Sequence, residues 1–394
     1  MRAGEGILFI ADGSITNPII YTQGLPLFNL LRKDNFNAVF VTFEEAESWD
    51  KAIEFGEKIK KDFPFIVLHQ IKIKKIPLVP TWFSFFYMRV SELLKIVNTY
   101  NIKTIHARSL FPGIIALILQ LFSNLKIIYD NRGVYIEEEI LKGHWKRNSA
   151  RILFFSLAES SLIKRADNII VVSNKFKSYI LQKYGISERK VTVIPNRTDL
   201  HLIGKSDLVR LNDPVNLIYS GSGAIWQEID ELKIVFNVAK KIFGNVVINI
   251  LSYDIELMKS VLANEPDLES SVNFMTAKSS EVFSCLIKNN LGLLIRENNI
   301  INNVAAPLKF AEYLSAGLPV LVSEGVGDTA DLIDEFKVGV VIKNKDYTAA
   351  FMEMRELLKD PNIYKRCRDI AVKYFDINYS FLQYKKVYGM IKDV

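Results

Sequence analysis

Cysteine is scarce in this chain: among 394 residues there are two, Cys285 and Cys367, beside four histidines. The cysteines have no close partner in sequence and no Cys/His cluster has zinc-ligand spacing, which excludes a zinc module and suits a reducing, cytoplasmic setting. Long apolar runs are missing too. The longest, residues 113–122, has about ten residues where a bilayer span takes about 20, so it reads as a buried helix. The first apolar run holds about five residues, short of the roughly 7 to 15 of a signal-peptide core, so no secretion signal is expected. No short repeat is visible. With 49% hydrophobic and 24% charged residues, the composition excludes disorder, collagen and coiled coil.

The length itself implies two domains of roughly 100 to 200 residues each. The net charge of +6 is unevenly shared: residues 1–200 carry 28 Lys and Arg against 19 Asp and Glu, whereas residues 201–394 carry 22 against 25. A basic half attracts nucleic acid, anionic lipid or a phosphorylated acceptor, and charge alone does not choose among them. No nucleic-acid recognition motif accompanies the basic residues, so nucleic acid is not expected as a partner.

Apolar, β-branched runs alternate with amphipathic stretches along the whole chain. Strands are predicted at 7–11, 38–43, 65–70, 104–107, 126–129, 168–173 and 191–194, then at 215–220, 246–251, 272–274, 291–295, 319–323 and 338–342. This rhythm implies parallel strands with crossover helices, that is, two doubly wound α/β units with ligands held at the carboxyl ends of the strands. A polar segment at 196–214 reads as the linker, and the expected division is 1–200, 201–374, and a helical tail at 375–394 that packs back on the first domain.

The most informative stretch, residues 292–327, reads GLLIRENNIINNVAAPLKFAEYLSAGLPVLVSEGVG. Pro307 suits the first turn of a helix whose free amides and positive end would attract an anion, reinforced by the Lys309 ammonium. Glu312 lies on the same helix face and suits ribose hydroxyls. The competing reading is a surface ion pair between Lys309 and Glu312, worth under roughly 1 kcal/mol. The segment AAPLKFAEYLSAGLPVLVSEGVGD resembles the donor-binding helix of retaining glycosyltransferases of the GT-B fold, family 4, with their Pro-x-Lys-x-x-Glu-Tyr-Leu-x-x-Gly-x-Pro-Val run. DNIIVVSNKFKSYILQKYG, VTVIPNRTDL and LIYSGSGAIWQ match in the same order, so the resemblance spans most of residues 100–345.

It implies a GT-B architecture with two facing Rossmann-like domains. Its activity would be transfer of a sugar from a nucleotide diphosphate sugar, UDP- or GDP-linked and without a separate cofactor, to a glycan or lipid-linked saccharide. Retention, and a place in capsule or surface-polysaccharide synthesis at the inner membrane face, follow from the same resemblance. Lys309, Asp130 and Arg132 would be the catalytic residues. Glu312, Gly221, Ser222, Gly223, Arg296, Asn303, Val304, Ala305 and Ala306 would bind the donor. Gly13, Ser14, His106 and Arg108 would approach the acceptor, and the absence of an Asp-x-Asp motif implies metal-free chemistry.

The chain departs from the family pattern where members carry a first glutamate, a position held by Val304; backbone amides of residues 303–306 would substitute. In SGSGAIWQ, Trp226 stands where a third glycine would complete a dinucleotide fingerprint, so Gly221 and Gly223 either approach a pyrophosphate or only turn the chain. Asp130 and Arg132, in IIYDNRGVYIEEEI, would emerge at the strand's carboxyl end facing the cleft, the charged trio Glu137 to Glu139 reads either as a solvated helix face or as an interdomain salt bridge, and a lone His106 is more often structural. Lys72, Lys74 and Lys75 precede Trp82, Phe83, Phe85, Phe86, Tyr87 and Met88, which suits either anionic-membrane docking or an ordinary core helix. The rivals to transfer are a sugar-nucleotide epimerase on the same fold and a catalytically silent glycan- or nucleotide-binding partner.

Overall fold

The computed structural model describes residues 6–389 except 12, 34–35, 74–80, 199–213, 264, 266–267, 269 and 279, and the side chains of 81–85. Most of the linker stretch therefore lies outside the described residues, as do Lys74, Lys75 and the side chains of Trp82, Phe83 and Phe85. The chain divides into two compact units. One comprises Met1–Val172, Lys177–Ile194 and Phe381–Val394, and the other Ser173–Phe176 and Pro195–Ser380. The boundary thus falls at 194/195 where the sequence reading set it at 200, and the chain re-enters the first unit at 381.

The first unit is a seven-stranded parallel sheet in the order β3-β2-β1-β4-β5-β6-β7. Its strands are β1 (Gly6–Ile10), β2 (Ala38–Glu44), β3 (Val67–Lys72), β4 (Ile102–Arg108), β5 (Lys126–Asp130), β6 (Asn168–Val171) and β7 (Val191–Val193). Every residue of β1 and β2 is buried, as expected of strands covered by helices on both faces. The helices are α1 (Leu25–Lys33), α2 (Trp49–Asp62), α3 (Thr81–Thr99), α4 (Leu110–Gln120), α5 (Tyr135–Leu141), α6 (Ala150–Arg165) and α7 (Asn174–Tyr184). The strand order reverses between β1 and β4, where Phe9 pairs with His106.

The second unit is a six-stranded parallel sheet, β10-β9-β8-β11-β12-β13. Its strands are β8 (Val215–Ser220), β9 (Val246–Leu251), β10 (Val272–Met275), β11 (Leu291–Leu294), β12 (Val320–Ser323) and β13 (Gly339–Ile342). Its helices are α8 (Leu232–Phe243), α9 (Ile255–Leu262), α10 (Val282–Leu286), α11 (Ile300–Asn303), α12 (Leu308–Ser315), α13 (Thr329–Phe336), α14 (Tyr347–Leu357) and α15 (Ile363–Phe375). Here the order reverses between β8 and β11, with Leu293 opposite Tyr219.

The last helix, α16 (Ile377–Val387), carries Tyr384 and Val387, with Tyr388 just beyond; all three are buried with Phe9, Phe28, Ile128, Ile170 and Ile194 in the core of the first unit. Among the described residues no helix is long and apolar enough to cross a membrane.

Candidate active site

Open α/β sheets bind ligands beyond the carboxyl ends of the strands at the point where the order reverses. At that point in the second unit, three groups of residues meet. The first is the loop after β8. A Cβ on Gly221 would lie 2.6 Å from both Tyr219 Oη and Gln227 Oε1, and those two atoms are themselves bonded at 2.8 Å, so a larger residue would have to push that pair aside. The loop amides are not all open for a pyrophosphate. That of Gly221 donates to Leu251 O at 3.2 Å and that of Gly223 to the Asp254 carboxylate at 2.7 Å. Ser222 remains, its hydroxyl accepting from Gln227 Nε2 at 3.4 Å.

The second group is centred on Arg296, just past β11. Its backbone pairs with Gln227, its amide donates to Ser323 Oγ, and its Nη1 donates to Asn302 Oδ1, the last two at 3.0 Å. Asn302 Nδ2 in turn donates to the carbonyls of Trp226 and Glu297, both at 2.9 Å, stitching the two loops together. Arg296 Nε is buried without a hydrogen-bond partner, and no carboxylate among the described residues pairs with the guanidinium. Burial pushes its pKa down to about 10, opposed by the neighbouring Tyr219 and Tyr313, so it stays cationic at neutral pH.

The third group is the start of α12. Pro307 is the cap residue and makes no side-chain bond to the helix, which leaves the first amides and the positive helix end to the loop. Lys309 Nζ contacts Glu312 Oε2 at 2.8 Å, with 29% and 19% of the two side chains exposed. The surface-pair alternative is thus a real contact, but at that exposure it contributes under about 1 kcal/mol and leaves both groups available to a ligand. Tyr313, unremarked in the sequence apart from its place in the Glu-Tyr-Leu run, ties the helix to the sheet. Its hydroxyl accepts from Ser220 N at 2.7 Å and donates to Leu293 O at 3.1 Å, bridging the ends of β8 and β11. A Cβ on Gly292 would strike its ring at 2.6 Å.

The loop at 303–306 departs from the expected open cradle. The amides of Asn303, Val304 and Ala305 already donate to the carbonyls of Asn299, Ile300 and Asn302, because α11 ends at Asn303 and a turn follows it. Of the four amides at 303–306, that of Ala306 has no partner among the described residues, while its carbonyl accepts from Asn196 Nδ2 at 2.8 Å. Val304 is 2% exposed and its carbonyl accepts from Ser173 Oγ, so its own side chain is packed away from the loop's surface. Gly327, at φ +44°, approaches this loop so closely that a Cβ would lie 1.8 Å from Ala305 O.

In the first unit, Gly13 and Ser14 line a cavity of about 270 Å³ at the reversal point, with Phe43, Arg89, Phe111 and Ile115 among its other walls. The Arg89 guanidinium sits 4.7 Å over the Phe43 ring. The loop is held by Glu44, a residue that sequence reasoning passed over: its Oε1 accepts from Ile15 N at 3.1 Å and from Thr42 Oγ1 at 2.6 Å.

His106, Arg108, Asp130 and Arg132 form a separate, buried network. Asp130 Oδ1 lies 2.6 Å from Arg132 Nε, and Oδ2 meets His106 Nε2 at 3.1 Å and Arg108 Nη1 at 3.4 Å. Arg132 also reaches the Tyr384 hydroxyl and donates to Ile194 O at 3.1 Å, while His106 Nδ1 meets Tyr388 Oη at 2.6 Å. Burial works to raise the Asp130 carboxyl, yet Arg132, the His106 hydrogen bond and Arg108 outweigh it and hold the group far below the usual carboxylate range. Burial also lowers His106, which is neutral at pH 7. The two arginines and the carboxylate compose an ion-pair cluster within the first unit, to which the hydroxyls of Tyr384 on the last helix and Tyr388 just beyond it are hydrogen-bonded. Nor is the acidic run only a solvated face: Glu139 is 9% exposed and accepts from Lys142 Nζ and His144 Nδ1, each at 2.9 Å.

Comparison with known proteins gives consistent findings. The model of Glycosyltransferase Family 4 matches residues 27–202, and that of Glycosyl transferases group 1 matches residues 285–374, together about two thirds of the chain. No curated protein matches the sequence. Among solved structures, a glycosyltransferase from Rickettsia africae ESF-5 is 14% identical, covering 98% of this chain and 99% of its own, with a TM-score of 0.70. The lipopolysaccharide outer core galactosyltransferase WaaB is 15% identical over the same shares, with a TM-score of 0.71. Anabaena Alr3699/HepE in complex with UDP-glucose is 12% identical, covering 98% and 100%, with a TM-score of 0.68. At such identities the shared property is the two-sheet fold.

Proposed function

The chain belongs to the family 4-like glycosyltransferases of the GT-B fold, which draw on nucleotide-sugar donors, and on that premise we propose a fuller reading of its reaction. It moves a hexose, with retention, from a UDP- or GDP-linked donor to a glycan or lipid-linked saccharide in surface-polysaccharide synthesis, at the inner face of a membrane. One observation carries the donor half of this reading: Arg296, partly buried with its Nε shut off from solvent and unbonded, meets no carboxylate among the described residues and follows the strand that Tyr313 ties to the helix bearing Lys309. A buried cation demands an anion, and a diphosphate supplies one.

As the glycosidic bond to the donor breaks, negative charge develops on the leaving diphosphate. Lys309, Arg296 and the first amides of α12 stabilise that charge without moving, which lowers the barrier more than it strengthens ground-state binding. Glu312 accepts from the ribose hydroxyls. The amide of Ala306 and the hydroxyl of Ser222 contact the sugar and phosphates. On the acceptor side, Gly13 and Ser14 with the adjoining cavity hold the acceptor, and Asp130 acts through Arg108 and Arg132, whose orientation it fixes. The UDP-glucose complex of HepE and the outer-core activity of WaaB support a UDP-linked hexose and a cell-surface saccharide.

A thermal-shift panel of UDP, GDP, CMP and their sugars tests the donor site. One nucleoside diphosphate is expected to raise Tm by several degrees in the wild type and to lose that effect in Glu312→Ala, since stabilisation follows ligand concentration over Kd. No response to any nucleotide overturns the donor-site reading. Mass spectrometry of products with saccharide acceptors tests transfer, and an altered nucleotide sugar without an extended acceptor overturns it.

A further inference from the structure

Helix α6 breaks the rule that the apolar side of a surface helix faces inward. Its inner face is complete, with Leu162 and Ile163 fully buried and Phe155 stacked on Trp145 at 4.8 Å. Its outer face is apolar as well: Leu153, Phe154 and Leu157 are 63%, 56% and 63% exposed. Positions 150, 153, 154, 157, 161, 164 and 165 share this outer face at helical spacing, so it reads Ala150, Leu153, Phe154, Leu157, Ser161, Lys164, Arg165 from start to end. Two turns of large apolar side chains are followed by two exposed cations, with no carboxylate along that face. The helix's one acid, Glu159, points the other way, 5% exposed and bonded to the Tyr184 hydroxyl at 2.5 Å.

At the near end, Lys146 and Arg151 add two exposed cations without a carboxylate partner among the described residues. Arg147 and Lys142 are offset by Glu137 and Glu139. Three bulky apolar groups within five residues, each more than half exposed, forgo a good part of the roughly 1.5–3 kcal/mol that full burial of each would supply, and nothing among the described residues of the first unit covers them.

We infer that the outer face of α6 is a docking surface for an anionic membrane. Interfacial binding takes both ingredients found here, apolar side chains that enter the headgroup boundary and cations that meet the negative surface potential. Charge argues against a second copy as occupant. A two-fold pairing of this face would set Lys146, Arg151, Lys164 and Arg165 of two chains around an acid-free contact, with no counterion to offset them. The site differs from the basic and aromatic stretch at 72–88 suggested by sequence. The inference rests on the reading of a membrane-borne acceptor, and the test separates the two.

The experiment is flotation of the full chain with vesicles of phosphatidylglycerol and phosphatidylcholine, against phosphatidylcholine alone, with no donor or acceptor present. Wild type is expected to float with the anionic vesicles at low salt and to be released by high salt. Lys164→Gln/Arg165→Gln is expected to bind roughly thirtyfold more weakly, as two lost cations predict. Leu153→Ser/Phe154→Ser is expected to lose at least as much, while both doubles keep the wild-type Tm and transfer to a soluble saccharide. Wild type that ignores anionic vesicles, or doubles that float as well as wild type, overturns the inference. So does a concentration-dependent dimer that Leu153→Ser/Phe154→Ser abolishes, which assigns the face to a second copy. Transfer to a soluble acceptor is read separately, so failed chemistry with intact vesicle binding counts against the proposed reaction and leaves this surface standing.

Discussion

In the first unit the buried cations surround a carboxylate, whereas in the second the partly buried Arg296, its Nε shut off from solvent, sits among neutral groups. Arg108, Arg132 and His106 all converge on Asp130, which no solvent reaches. Arg296 meets an asparagine, a backbone bridge and two tyrosines. The same residue type therefore serves two ends. In one unit the anion is part of the chain and the cluster holds β4, β5 and the C-terminal helix together. In the other the anion must come from outside, so the cost of burying Arg296 is offset only when a ligand arrives.

The contrast can be broken most forcefully at Asp130. Asp130→Ala leaves two buried guanidinium groups unpaired and is expected to destabilise the protein by about 3–5 kcal/mol, read by urea unfolding. Loss under about 1 kcal/mol would show that the cluster is not what joins the C-terminal helix to the sheet. Lys309→Ala is expected to cut kcat by about 10²- to 10³-fold with Tm unchanged, because it removes charge stabilisation made chiefly in the transition state; near wild-type turnover sinks the assignment.

Arg296→Met sharpens the comparison from the other side. It removes an uncompensated buried charge, so Tm without nucleotide should hold or rise, while nucleoside diphosphate affinity falls by about tenfold or more, as lost charge-assisted bonds imply. A variant that melts early and binds normally would make Arg296 a structural residue.

Acid should act on the first unit before the second. Folding depresses the His106 pKa, so stability is lost as pH falls below its unfolded value of about 6.5; Asp130, depressed further, adds a second loss as pH falls below about 4. Arg296 titrates near 10 and contributes no change in that range. His106→Asn is expected to flatten Tm against pH between 7 and 5, and an unchanged slope would remove His106 as the cause. The smallest effect expected is that of Tyr388→Phe, which deletes the hydroxyl on His106 Nδ1 and should cost about 1 kcal/mol by thermal melting.

Much of this was legible beforehand for a plain reason. Strands buried on both faces, such as GILFI and LGLL, read as unbroken apolar runs, and the crossover helices between them read as amphipathic, so a doubly wound order follows from local pattern. The Pro-x-Lys-x-x-Glu run was visible because a helix start and two charged groups at fixed spacing are local as well. The partners of Arg296 were not, since Gln227, Asn302 and Tyr313 come from separate segments. Glu44 gave no signal either: its role depends on Ile15, 29 residues away.

By itself, then, the sequence determined the two α/β units, the basic bias of the first half and the family motif, because these depend on periodicity and short-range spacing. Only the tertiary structure decided which charges are neutralised. It brought Asp130 against two arginines and a C-terminal helix more than 250 residues away, engaged the amides of Gly221, Gly223 and residues 303–305, and left Arg296 without a carboxylate among the described residues. Pairing of buried charge depends on where distant segments come to rest, and local pattern does not carry that information.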